Sequence, residues 1–331
     1  MKKILQLLFE HKTLNREQAK EVLVNLGKSM YNEHEITAFM TVYLMRSISI
    51  EELQGFRDAL LELCVPVDLN GYNALDIVGT GGDGKNSFNI STLSCFIVAG
   101  AGQKVAKHGN YGASSISGAS NVMAQLGYTF KTDNAKLKNE IEEAGICFLH
   151  APLFHPALKA VSVIRKNLGV RTFFNMLGPM VNPAAPSYQL IGVFNLEMAR
   201  IYNYMLQQTD KAFTIIHSLD GYDEISLTAD VKVITNHGER IMTPEYLGKR
   251  IVSPLDIQGG SSIEESAKIF LTIIKGEGTW AQNAVVIANA AMALNCTGNY
   301  TRYEDAYQAA VESFESKKAY ACLQKLQSMN N

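Results

Sequence analysis

The sequence is poor in the features that would classify it at a glance. Its five cysteines, Cys64, Cys95, Cys147, Cys296 and Cys322, lie far apart, mostly within apolar stretches, and form no CxxC pair. That pattern excludes a disulfide framework and reads as reduced core thiols in a cytoplasmic protein. No apolar run approaches the roughly 18 residues of a membrane span. Charge of neither sign prevails: 30 Lys and Arg against 32 Asp and Glu leave a formal −2. Bulk attraction for nucleic acid is therefore absent, and only a local basic groove stays open. The amino-terminal stretch through Leu7, Leu8 and Phe9 resembles a signal peptide only superficially. Its apolar part is short, Glu10 interrupts it, and no small-residue cleavage site follows. Internal repeats and low-complexity segments are also missing.

What is present suits a globular fold. A chain of 331 residues with 47% hydrophobic and 19% charged residues can fill one large domain or two unequal ones. Residues 1 to about 68 carry helical patterns only. Leu5, Leu8 and Phe9 share a face, and Asn15 caps a helix through Ala19, Val22, Leu23 and Leu26. Residues 34–45 form another apolar-striped helix, and Ser49-Ile50-Glu51-Glu52 is a capping box opening the next. These stripes can pack on each other or on a second subunit.

From Leu75 the rhythm becomes strand, loop, helix. Short apolar runs at 75–78, 104–107, 146–149, 189–194 and 213–217 alternate with helical patterns, which argues for a largely parallel sheet covered by helices. Residues 156–167 read as helix, and residues 171–183 as irregular chain. Residues 225–242 alternate as a hairpin with Asn236-His237-Gly238 at its turn. Three helices, starting at Ser261, Thr279 and Tyr303, fill the remainder.

The first of these strands empties into Gly79-Thr80-Gly81-Gly82-Asp83-Gly84, and a helix opens near Asn89. Strand, glycine loop and helix start in that order form a place for phosphate. Two familiar fingerprints fit and then fail. A dinucleotide loop needs an acidic residue about 20 positions on, where this chain has Gln103, Lys104 and Lys107. A P-loop needs Ser or Thr after its lysine, and Lys85 is followed by Asn86. A plain turn would not need the polar side chains of Asn89, Ser91 and Thr92.

Gly79-Thr80-Gly81-Gly82-Asp83 followed by Asn89-Ile90-Ser91-Thr92 resembles the diphosphate-binding loop of the anthranilate phosphoribosyltransferase family. Lys107-His108-Gly109-Asn110 resembles its second motif. Ser114-Ser115-Ile116-Ser117-Gly118 and Arg171-Thr-Phe-Phe-Asn-x-Leu-Gly-Pro-x-x-Asn-Pro183 are similar to its third and fourth, and Gly221-Tyr222-Asp223-Glu224 to its metal-binding pair. The motifs follow the family's order over nearly the whole chain. The resemblance implies an α/β fold: a small helical domain, 1–70, joined by hinges to a large α/β domain, 71–331, with a mostly parallel central sheet. It places about 165–183 with the small domain and implies a homodimer through the helical parts.

The implied reaction moves a phosphoribosyl group from 5-phosphoribosyl 1-diphosphate to the amine of anthranilate, with Mg²⁺ as cofactor. Departure of diphosphate builds positive charge on the ribose, by analogy with glycoside cleavage, and the leaving group must be held and neutralised. The resemblance assigns the donor to Gly79, Thr80, Gly81, Gly82, Asp83, Ser87, Asn89, Ser91, Thr92, Lys107, Ser115 and Ser117. It assigns the metal to Ser91, Asp223 and Glu224, and anthranilate to Gly79, Asn110, Arg165, His108 and His155. Taken alone, Asp223-Glu224 would be a solvated turn, Arg165 a surface cation and each histidine a structural one. The chain departs from the family's pattern at Tyr111, where Arg is common, at Asn121 and Gln125, where acids are usual, and at Tyr222 in place of Leu. A pyrimidine nucleoside phosphorylase shares the fold but needs a different phosphate signature and no Asp223-Glu224 pair. A nucleic-acid-binding relative that has lost catalysis should show a degraded glycine loop, and here the loop is intact.

Overall fold

The computed structural model describes residues 1–112 and 115–330, and for Ala160 the backbone alone. The chain divides into two compact units, one of residues 1–67 with 151–185, the other of residues 68–150 with 186–331.

The first unit is helical because its caps and stripes agree. Helices Arg16–Gly27, Glu33–Met45 and Ile50–Glu62 each open on a reciprocal capping box, at Asn15 with Gln18, Asn32 with Glu35 and Ser49 with Glu52. Such a box satisfies two backbone donors at each helix start. Glu52 does more: it is fully buried and accepts from the Leu14 amide at 3.0 Å, the Tyr43 hydroxyl at 3.1 Å and the Arg46 guanidinium at 2.5 Å. Residues 151–185 join this unit through aromatic packing. Phe173 stacks on Phe56 with centroids 4.7 Å apart and meets Phe39 and Tyr43 edge-on at 6.1 and 5.1 Å. Each such pair adds about 0.5–1.5 kcal/mol beyond area burial. The stretch expected to be one helix over 156–167 starts as a 3₁₀ turn, Pro156–Leu158, and continues as the helix Lys159–Leu168. Proline at the start suits that tighter turn.

The second unit is built on one seven-stranded sheet. Its strands are β1 Leu75–Gly79, β2 Val105–Gly109, β3 Ile146–His150, β4 Tyr188–Gly192, β5 Ala212–Ser218, β6 Val231–Thr235 and β7 Gly238–Met242, in the order β3-β2-β1-β4-β5-β6-β7. The first five run parallel, and β6 and β7 are antiparallel. Parallel strands are covered on both faces and so read as continuous apolar runs. β2 extends past the expected 104–107 to Gly109, because its pairing with β3 continues to Gly109 opposite His150. The core holds Phe96 between Phe148 and Phe270 at 5.9 and 6.0 Å, beneath the mostly apolar centre of the helix Trp280–Cys296.

Four helices close the chain where three were expected: Ile263–Ile274, Trp280–Cys296, Tyr303–Glu315 and Lys318–Ser328. The last two are separated at Lys317, whose left-handed φ of 66° breaks the helix without a glycine or proline to announce it. Among the described residues no helix is long and apolar enough to cross a membrane.

Candidate active site

The chain runs from β1 outward to β2 and β3, then returns to the other side of β1 for β4 and β5. The order therefore reverses between β1 and β4, and in open α/β sheets ligands bind outside the carboxyl ends of the strands at such a point. Both strands end there in glycine, and Gly79 and Gly192 are paired in register. A Cβ on Gly79 would strike the Asp223 carboxylate, and one on Gly192 the Asp223 backbone carbonyl. Two missing side chains thus create the space that Asp223 fills.

The loop leaving β1 wraps this carboxylate. Gly81, Gly82 and Gly84 all take left-handed φ, of 63°, 74° and 73°, which L side chains adopt only at a cost. The Gly81 amide donates to Asp223 Oδ2 at 2.7 Å. Ser91 N, in the first turn of the helix Ile90–Gly100, donates to Glu224 Oε1 at 3.0 Å, and Ser87 Oγ to Glu224 Oε2 at 3.2 Å. Asp83 accepts from the Lys85 amide at 3.0 Å. So the glycine loop and Asp223-Glu224, far apart in sequence, form one structure.

Behind the pair stands a residue that local sequence reading missed. Asn289 accepts from Ile225 N at 3.0 Å and donates to Ile225 O at 2.9 Å, while Ser218 Oγ donates to Glu224 O at 2.6 Å. Both side chains are buried. The signal for Asn289 was faint: one amide in the middle of the Ala- and Val-rich helix Trp280–Cys296.

Electrostatically the site is acidic. Burial raises the carboxyl groups of Asp83, Asp223 and Glu224 above their ordinary range. Asp83 pushes Asp223 further up, and both push Glu224. Among the described residues no Lys or Arg forms an ion pair with any of the three. Three desolvated carboxylates without a cation suit a divalent ion. Among the described residues no three His, Cys, Asp or Glu side chains converge as a ready cage, so an ion here would take further oxygens from ligand and water. Thr80 Oγ1 and Ser117 Oγ are buried and, among the described residues, have no hydrogen-bond partner. Such hydroxyls suit the oxygens of a bound anion.

Thr80 N–H is taken by Gly192 O at 2.9 Å and Gly81 N–H by Asp223, so these amides serve the protein's own loop. Thr92 is 1% exposed, within the first turn of its helix. Lys107 is 2% exposed, and its ammonium donates to Ile77 O at 2.6 Å, which ties it to the neighbouring strand. Asn89 Nδ2 donates to Ser117 O at 3.0 Å, joining the glycine loop to the third motif. Ser115 is exposed, and Ser114, where that motif begins, lies outside the described residues. Asn121 Oδ1 accepts from Gly112 N at 2.8 Å and Gly118 N at 3.0 Å. It holds both ends of that loop.

Residues 2–64 match the family described as "Glycosyl transferase family, helical bundle domain", and residues 71–320 its a/b domain. The anthranilate phosphoribosyltransferase of Flavobacterium johnsoniae is 58% identical over 330 residues, with 100% of each chain covered. That of Bacteroides thetaiotaomicron is 54% identical over 331 residues, again with 100% of each covered. The chain belongs to the anthranilate phosphoribosyltransferase family. Among solved family structures, that from Thermus thermophilus is 30% identical, with a TM-score of 0.90 over 98% of both chains. The Saccharomyces cerevisiae enzyme in complex with PRPP and Mg is 25% identical, with a TM-score of 0.90 over 98% of this chain and 96% of that one.

Of the residues expected to meet the family's aromatic substrate, Asn110 and His108 belong to the second unit, Arg165 and His155 to the first. Asn110 Oδ1 accepts from Tyr111 N at 2.8 Å, and His108 is 3% exposed with its amide on Asp76 Oδ1 at 3.2 Å. Arg165 is half-buried, donates to Asn175 Oδ1 at 3.3 Å and lies over the Phe174 ring at 5.5 Å. His155 is 1% exposed inside the helical unit, where burial pulls its imidazole down to about 4 against bonds to the Val181 and Leu60 backbone.

Proposed function

We propose that the chain transfers the phosphoribosyl group of 5-phosphoribosyl 1-diphosphate to the amine of anthranilate. The products are N-(5-phosphoribosyl)anthranilate and diphosphate, as in the second step of tryptophan biosynthesis from chorismate. One observation carries the reading: the glycine loop and Asp223-Glu224 share a single desolvated site at the sheet's switch point. A bare phosphate cradle would not gather three carboxylates, whereas a sugar diphosphate carried with a cation accounts for them.

In this reading the α/β unit binds the donor. Asp223 and Glu224, with the Ser91 hydroxyl, are the residues that would hold Mg²⁺. When bound, the ion supplies a compact positive charge against the leaving diphosphate. Thr80 and Ser117 offer hydroxyls to donor oxygens, with Ser87, Asn89, Thr92, Lys107 and Ser115 around them, and Gly79, Gly81, Gly82 and Asp83 shape the loop. Arg165 offers its guanidinium to the carboxylate of anthranilate, and Asn110 accepts from its amine, with Gly79, His108 and His155 as further acceptor residues. An aryl amine attacks as its neutral form, so no strong general base is needed. Positioning and charge stabilisation carry most of the rate.

The reading includes a cytoplasmic homodimer. Its support is the apolar side chains that the helical unit leaves exposed, Met45 at 84%, Met30 at 69% and Phe9 at 61% among them. Anthranilate fluorescence should fall when protein, donor and Mg²⁺ are combined, and should hold steady when any one is omitted. Folded protein that leaves the fluorescence unchanged would overturn the assignment.

A further inference from the structure

The glycine loop carries one cation, Lys85, whose charge partly offsets the burial of Asp83 without an ion pair between them. Lys85 follows Gly84, which takes a left-handed φ of 73°. Its backbone amide is fixed on Asp83 Oδ1 at 3.0 Å. Its ammonium stands 4.7 Å from the centroid of the Tyr222 ring, and its Cε lies 3.8 Å from where a Cβ on Gly221 would be. The lysine stem thus passes Gly221 at van der Waals distance. Tyr222 is 5% exposed, so the ring is a fixed platform. A cation on a desolvated aromatic face is held there with one side satisfied, leaving its other side to meet an anion.

The placement matters because Lys107 is buried and bonded to Ile77 O. Asp83, Asp223 and Glu224 form no ion pair among the described residues. The donor adds a phosphate and a diphosphate to this acidic loop. We propose that Lys85 is a cation supplied by the loop itself to the donor's diphosphate, and that Tyr222 is the residue positioning it. This rests on the phosphoribosyl transfer proposed above. It gives Tyr222 a purpose that a leucine there could not serve, since an aliphatic side chain has no face for an ammonium.

Lys85→Met keeps the stem and removes the charge, Lys85→Arg restores a cation, and Tyr222→Leu and Tyr222→Phe remove and keep the ring. The full-length protein is assayed with each substrate varied in turn, and donor binding is measured directly by calorimetry. Lys85→Met should raise the donor KM and the calorimetric Kd at least five-fold, leave the anthranilate KM within two-fold and flatten the salt dependence of donor binding. Lys85→Arg should recover most of the loss. Tyr222→Leu should reproduce part of it, and Tyr222→Phe little. The melting temperature of each variant reports separately on folding. A donor KM and Kd within two-fold of the parent for folded Lys85→Met would overturn the proposal while leaving the transferase reading intact. An inactive parent protein would overturn the reading itself, and calorimetry of donor binding would still test Lys85.

Discussion

Gly192 and Asp223 are in such close approach that one added carbon on the glycine would occupy the aspartate's carbonyl oxygen. The neighbour across β1 and β4, Gly79, leaves the same kind of room for the Asp223 carboxylate. Because the obstacle at Gly192 is backbone, a side chain cannot be absorbed by a rotamer change. Gly192→Ala should push the residue 223 backbone off the sheet, cost about 1–3 kcal/mol as an overpacked site does, and raise the Mg²⁺ concentration needed for half-maximal rate. Denaturant unfolding and a Mg²⁺ titration of the rate check the two effects. Parent-like values in both would mean that the loop moves freely.

Asn289 holds the residue after the acidic pair by both its N–H and its C=O. Asn289→Leu fills a similar volume but strands two buried backbone groups, each costing about 1–3 kcal/mol when unsatisfied. The expected outcome is a protein destabilised by a few kcal/mol whose Mg²⁺ requirement rises before its anthranilate KM changes. Chemical unfolding combined with two-substrate kinetics separates these effects.

Local order was legible where chemistry is local. The strand, glycine loop and helix from Leu75 onward announce themselves by a change of period, and Asn15 and Ser49 announce their helices by cap chemistry. What stayed hidden depends on partners distant in sequence. Nothing near the glycine loop in sequence competes for its amides. The group that takes Gly81 N–H lies 142 residues further on. The end of β2 was placed early because its last two residues are a histidine and a glycine, which are strand only by virtue of β3. Residues 171–183 looked irregular, and their local structure is indeed short turns. Their role as an aromatic anchor appears only when Phe173 meets Phe56. Asn289 gave no local signal of its task, because the helix that carries it is buried on nearly every side and its partner, Ile225, lies 64 residues away.

Asn121 stands where acidic residues are usual in the family, and its one carbonyl oxygen accepts from Gly112 and Gly118. An aspartate could accept both bonds equally well, so Asn121→Asp should keep the loop's shape. Asn121→Ala should release both ends and raise the donor KM several-fold, with stability lowered by about 1–2 kcal/mol for two part-buried bonds. Parallel donor and anthranilate titrations decide it. Equal losses for Asp and Ala would show that charge, rather than the acceptor, is what the position requires.

Glu52 gives the helical unit a pH dependence of defined sign. Burial works to raise its carboxyl, but bonds from Arg46, the Leu14 amide and the Ser49 amide outweigh it and hold the group below its ordinary 4.5. A carboxyl depressed in the folded state contributes stability that is fully present above the unfolded value. That contribution is lost as pH falls through the folded value. Glu52→Gln keeps the shape but leaves the half-buried Arg46 facing a neutral partner, a loss of about 1.5–3 kcal/mol for charged hydrogen bonds. The stability gap between parent and variant should therefore be widest near neutrality, start to narrow below about pH 4.5 and close as pH falls through the lower folded value, where the parent also becomes neutral. Amide exchange at residues 49–52 followed from pH 7 down to pH 3 reads this change within the helical unit of the intact protein. A gap independent of pH would show that Glu52 acts through packing alone.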